Sequence, residues 1–223
     1  MDYALTRSRR KTVAIYVRDG AVDVRAPLLM PRSQIDWFVA SKEKWIADKL
    51  AESVERLRQR ASFMLSYGEC VTYRSRQYPI VAREGKRVGF GGEVFFMPPG
   101  LGSEQIRAAC VQIYRMLARR DLTDRVLSFA EKMSVVPTAV KINGAKTRWG
   151  SCSGRGSLNF SWRLIMASDD VINYVVVHEL AHLTQMNHSA RFWATVEEVL
   201  PDFRERRAKL KELQRRLEGE DWE

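Results

Sequence analysis

Residues 174–193 read "YVVVHELAHLTQMNHSARFW", and they hold all three histidines of the 223-residue chain: His178, His182 and His188. Helical geometry places His178 and His182, four positions apart, on one face one turn from each other, so both imidazoles can reach the same ion. Glu179 lies one position on, beside that face. It is poorly placed to share the ion but well placed to reach a water bound to it. This is the H-E-x-x-H arrangement, two metal ligands and a general base. Zinc acidifies a water it binds, and a glutamate so placed can take the proton.

A catalytic zinc takes a third protein ligand. His188 is six residues past His182, so in a continuous helix it would point about 120° away at about 100° per residue. The helix must therefore end between them, and Asn187 is a residue type that tolerates the left-handed turn ending a helix. The histidine spacing equals that of H-E-x-x-H-x-x-G-x-x-H, but Gln185 stands at the glycine position and no methionine follows Met186. Glu197 and Glu198 are alternative third ligands ranked below His188.

Outward from this stretch, the composition bounds the class. Apolar residues make up 45% and charged residues 29%, as in a soluble globular protein. The N-terminus lacks an apolar signal-peptide segment, and no aliphatic run approaches the ~20 residues of a membrane span. Three widely spaced cysteines, Cys70, Cys110 and Cys152, argue against a disulfide framework. The expectation is a cytoplasmic protein with no membrane partner. The net charge is +10, yet residues 137–200, around the histidines, carry 6 Lys/Arg against 5 Asp/Glu. The basic excess lies elsewhere and allows a nucleic-acid partner without identifying one.

Patterning predicts an α+β fold read as a single domain over 1–223, with a β-rich N-terminal lobe over about 1–100 and a catalytic lobe over about 101–223. "TVAIYV" and "AVDVRA" flank "RDG" as a hairpin. A helix is expected from Ser33, with Asp36 as a capping-box acceptor, to just before Gly68. Strands follow over 69–97, with a turn at Gly91–Gly92. A helix then opens at Ser103, with a break near Asp121. Leu158, Phe160 and Trp162 alternate with polar residues as in a half-buried strand. Ser168 caps the histidine helix, followed by a shorter helix and a charged one.

"TRWGSCSGRGSLNFSWRLI", "INYVVVHELAHLTQMNHSARFW" and "PDFRERRAKL" together resemble the YgjP-like metallopeptidases, a family similar to the SprT-like and WLM proteases. "RRKTVAIYVRDGAVDVRAP" and "FVASKEKWI" extend the resemblance over about residues 8–215. It implies a zincin-like catalytic part, in which a small antiparallel sheet accompanies the H-E-x-x-H helix. It also implies one Zn2+ held by His178, His182 and His188, with Glu179 catalytic and a polypeptide as substrate. By the same resemblance "GSLNFSWR" is the edge strand that receives the peptide. That nominates Asn159 and Ser161 for substrate binding, with Arg148, Trp149 and Ser151 shaping the approach. Trp149, Trp162 and Trp193 have core packing as their simpler reading. Arg163 is read as a carboxylate partner before an oxyanion donor, and Cys152 as structural.

The reading that follows is a zinc metallopeptidase. Two others compete with it. One is a nucleic-acid-associated protease acting on DNA-bound proteins, resting on the charge and on the similarity to SprT-like proteases. The other is a non-catalytic module stabilised by a closed metal site.

Overall fold

The structure is a computed structural model, described here for residues 2–222. It combines helices with small sheets, the α+β class expected. The chain forms two compact units, one up to Phe63 together with Arg216–Asp221, the other from Met64 to Arg215 together with Trp222. The lobe boundary expected near residue 100 falls inside the second unit, where the strands over 70–97 share a core with the helix that follows them.

In the first unit, β1 (Ala4–Ser8), β2 (Ala14–Arg18) and β3 (Ala21–Pro27) form a sheet in the order β1-β3-β2. The β2–β3 hairpin lies where the pattern put it, and Asp19 and Gly20 take positive φ values of 48° and 74° at its turn. This suits the right-handed strand twist and uses the Asp-Gly pair for it. β1 pairs parallel to β3, and its sequence "ALTRS" has no apolar alternation to mark it as a strand. Val22, Val24 and Ala26 point inward against Ile35 and Val39 of α1 (Arg32–Ala40) and Ile46 of α2 (Glu43–Ser62). The single expected helix is thus two. Asp36 does not cap it: its carboxylate accepts from Arg32 at 3.0 Å, and α1 starts at Arg32 with no side-chain cap. A one-turn salt bridge wins because both partners lie on the exposed face.

The second unit opens with a four-stranded sheet, ordered β4-β5-β7-β6, from β4 (Cys70–Tyr73), β5 (Arg76–Ala82), β6 (Gly89–Phe90) and β7 (Phe95–Met97). Next comes α3 (Ser103–Lys132), 30 residues without the expected break. Asp121 sits inside it and accepts from Arg125 at 2.8 Å and from Arg74, so the residue that read as a breaker is satisfied by side chains. Ile106, Cys110, Ile113, Tyr114, Leu122 and Val126 make α3 the spine of this core.

Three strands then form the sheet nearest the histidines: β8 (Ala139–Asn143), β9 (Gly150–Cys152) and β10 (Ser157–Ser161). β10 pairs parallel with β8 and antiparallel with β9. The sheet is therefore mixed, and β10 is its central strand. The expected edge strand is not an edge, because β8 covers its far side. The edge that packs beside the histidine helix is β9, within "RWGSC". A 3-10 helix, Trp162–Met166, leads into α4 (Asp169–Ala181), then α5 (Ala190–Val199) and α6 (Phe203–Leu217), of which residues 203–215 belong to this unit. α4 is buried almost all round, through Val171, Ile172, Tyr174, Val175, Val176, Val177, Leu180 and Ala181. At roughly 1.5–3 kcal/mol per buried large aliphatic side chain, that apolar run anchors the helix carrying the site. No helix is long and apolar enough to cross a membrane among the described residues.

Candidate metal centre

α4 brings His178 and His182 together with ring centroids 5.0 Å apart. The helix ends at Ala181, with His182 as its C-cap in right-handed geometry, φ −67° and ψ −17°. The end is made by tightening rather than by a left-handed residue. Leu183 N–H bonds to Leu180 C=O at 3.0 Å, and Thr184 N–H and hydroxyl both donate to Ala181 C=O. Asn187 has no positive φ. Its carboxamide oxygen instead accepts from Ser189 N–H at 3.2 Å, shaping the reversal by a side-chain contact. Ser189 then caps α5, its hydroxyl accepting from Phe192 N–H at 3.5 Å.

This reversal carries His188 back over α4. Its Nε2 lies 3.1 Å from Nε2 of His178, and the donor atoms of the three histidines all fall within 4.8 Å of one another. Zinc–nitrogen bonds of about 2.0–2.1 Å at tetrahedral angles would set donors about 3.3–3.4 Å apart. The His178–His188 spacing is already close to that. Among the described residues, this is the one group of three or more His, Cys, Asp or Glu side chains that could hold an ion. Glu197 and Glu198 are outside it, and Glu197 pairs with Arg204 at 2.7 Å.

The protonation chemistry suits cation binding. His182 Nδ1 is 3.0 Å from the Gln185 carbonyl oxygen, so Nδ1–H donates there and the Nε2 lone pair is left free. Burial pushes the His178 imidazole down to about 3, helped by the neighbouring charges of His182, His188 and Arg207. His188 is lowered too, by burial and then by His182 and Arg207. Buried His178 Nδ1 has no hydrogen-bond partner. Neutral rings crowded with lone pairs inward are costly by themselves and become favourable around a cation.

Glu179 is 6% exposed, and burial raises its carboxyl to about 7. It lies against β9: a Cβ built on Gly150 would fall 2.6 Å from Glu179 Cγ and 2.7 Å from Oε1. Nothing in the local pattern of "RWGSCS" gives Gly150 a role, and only the packing of strand on helix reveals one. Phe192 is likewise silent in the sequence. It is fully buried, with its ring 4.9, 4.5 and 4.8 Å from those of His178, His182 and His188. Trp193 is half-buried, stacked between His188 at 5.7 Å and Phe203 at 5.3 Å, so it walls the cluster rather than filling the core.

The nominated substrate residues separate. Ser151 on β9 is opposite Asn159 on β10, both half-buried. Arg148 is exposed and Trp149 half-buried just before β9. Ser161 is 1% exposed, and its hydroxyl donates to Ala145 C=O at 2.7 Å, which spends it on the main chain. Arg163 is buried over the Trp162 ring and donates to Gly144 C=O at 2.8 Å. Trp162 is core, stacked on Tyr114. The Cys152 thiol is raised by burial and then by the charge of Glu179, which keeps it a thiol beside the site.

No curated protein matches the chain. Among solved structures it is similar to the metallopeptidase zymogen abylysin of Pyrococcus abyssi, at 23% identity and a TM-score of 0.38, over 40% of this chain and 90% of that one. It is also similar to the metallopeptidase zymogen jannalysin of Methanocaldococcus jannaschii, at 18% identity and a TM-score of 0.38, over 41% of this chain and 95% of that one. The family model described as "YgjP-like, metallopeptidase domain" matches residues 11–213, taking in the β2–β3 hairpin, β9, the imidazole cluster and most of α6. The chain belongs to the YgjP-like metallopeptidase family.

Proposed function

We propose that this protein is a zinc-dependent peptidase in which His178, His182 and His188 hold one ion and Glu179 is the general base. The observation that carries this reading is the convergence of three imidazoles within 4.8 Å beside a buried carboxyl. Among the described residues the donor group has three members, and a fourth thiolate or imidazole would be needed to close it as a structural site. When bound, zinc supplies Lewis acidity at the reacting carbonyl and acidifies water.

The chain's own residues do the rest. Gln185 C=O holds the His182 tautomer, and Phe192 holds the three rings from behind. Gly150 leaves room for the Glu179 side chain beside the β9 edge. Glu179 takes the proton from the attacking water and returns it to the departing amine, a role that a carboxyl with raised proton affinity performs near neutral pH. The β9 edge, with Ser151, is where we place an extended polypeptide, paired through its main chain. Cys70, Cys110 and Cys152 are free thiols, which supports a reducing, cytoplasmic setting.

Neither the family nor the imidazole cluster calls for nucleic acid, so the +10 charge alone does not carry that reading. The test of the peptidase is metal analysis together with Glu179→Gln. The variant is expected to bind zinc as the wild type does and to lose about 10²–10⁴-fold in hydrolysis of denatured protein. Undiminished hydrolysis would remove Glu179 as the base. A site found closed by four protein ligands would favour the non-catalytic module.

A further inference from the structure

α6 carries a run of cations within "PDFRERRAKL". Arg204 pairs with Glu197 at 2.7 Å, Arg206 with Asp202 at 2.8 Å and Lys209 with Asp170 at 2.7 Å. Arg207 is exposed, and among the described residues no carboxylate lies within ion-pair distance of it. It is nonetheless placed. Its guanidinium lies 5.4 Å from the centroid of the Trp193 ring. Phe203, one helical turn earlier on α6, stacks on the same indole at 5.3 Å and 16°. Trp193 in turn stacks on His188 at 5.7 Å and lies 5.8 Å from His178. A cation without a counter-charge therefore stands one indole away from the imidazole cluster, and its charge is felt at both of those rings.

The chemistry of that position is selective. Arginine stacked on an aromatic face loses little further freedom on binding, and its planar fork matches a carboxylate with two parallel hydrogen bonds. An extended peptide advances about 3.3–3.6 Å per residue, so a group one indole from the cluster is within reach of side chains near the bond being cut. Arg204, Arg206 and Lys209, the cations nearest to it along α6, are already paired, which leaves the ring-stacked Arg207 as the attractor beside the cluster.

We propose that Arg207 is a specificity-determining residue that takes a carboxylate of the polypeptide substrate, either an Asp or Glu side chain or the free C-terminus, within a few residues of the scissile bond. This rests on the peptidase reading above. Trp193 orients the guanidinium, and the site favours acidic over neutral or basic residues at that subsite.

The test uses zinc-loaded Glu179→Gln protein, which can bind peptide without consuming it. Three sets of peptides of one parent sequence are titrated: a neutral C-terminal amide, the amide with a single Glu placed at each position in turn, and the free acid. One carboxylate set is expected to bind about tenfold tighter than the amide, as a charged hydrogen-bonded contact allows. Whether the Glu amides or the free acid shows the gain tells side chain from C-terminus. Adding Arg207→Gln should erase that gain while leaving the neutral amide unchanged. Arg207→Glu should shift the preference to a Lys-substituted peptide. A merely structural Arg207 would weaken all peptides alike. Equal affinities for all three sets, or a preference that survives Arg207→Gln, overturns the proposal. Acidic peptides bound as expected but never cut when Glu179 is intact would sink the peptidase reading and leave the carboxylate site standing.

Discussion

Glu179 and Gly150 are a pair that neither residue announces alone. The Glu179 carboxyl, at about 7, is raised from an ordinary 4.5 by burial. Its contribution to folding stability is therefore complete below pH 4.5 and is lost as pH rises through 7, because only the unfolded chain releases the proton without penalty in that window. In metal-free protein, Glu179→Gln should be more stable than wild type at pH 8, by about 3 kcal/mol more than at pH 4.5. Denaturant midpoints at the two pH values measure this, and a pH-independent difference would mean the carboxyl is not desolvated. Gly150→Ala asks for space that the Glu179 side chain occupies. The expected result is a loss of about 1–3 kcal/mol in stability. Hydrolysis should fall while zinc content is retained, because the strand displaces the glutamate and not the imidazoles. Activity assayed beside metal content checks it.

At the scale of elements, the site depends on how α4 stops and α5 starts. His182 is the C-cap of one helix and Ser189 the N-cap of the next, and His188 is held between them. Ser189→Ala should cost about 1 kcal/mol through loss of the cap. It should also weaken zinc binding, because the first turn of α5 carries Phe192 against all three rings. Thermal unfolding in the presence and absence of zinc separates the two effects. A variant destabilised equally in both would show that the cap supports α5 without serving the imidazole cluster. β9 shows the same dependence of site on element. Three residues, Gly150–Cys152, form the sheet edge next to Glu179, and their strand character comes from pairing with β10 rather than from an apolar pattern of their own.

For the molecule as a whole, zinc is expected to act as a folding ligand of the second unit. An ion that binds the native site and not the unfolded chain adds about 2.7 kcal/mol when present at a hundred times its dissociation constant. Chelation should therefore lower the melting temperature of this unit, and re-addition of zinc should restore it. The first unit, with its own core of Val22, Val24, Ala26, Ile35, Val39 and Ile46, gives the measurement an internal reference. A melting curve unmoved by chelation would argue that the three imidazoles are at rest without an ion.

The sequence by itself determined whatever depends on local periodicity. The four-residue spacing put His178 and His182 on one helix face, and the Asp-Gly pair closed the β2–β3 hairpin. Helical pitch even required a helix end before His188. How that end is made was not legible, since Asn187 acts through its side chain and not through a left-handed backbone. Only the tertiary structure decided which strand is the edge, because β8 reaches β10 from outside the motif and makes it central. It alone put Gly150 under Glu179, Phe192 behind the rings and Arg207 over Trp193. The physical reason is the same in each case. A residue's intrinsic preference sets its own backbone and face, but contacts between segments tens of residues apart arise from how whole faces pack, and no local pattern encodes them.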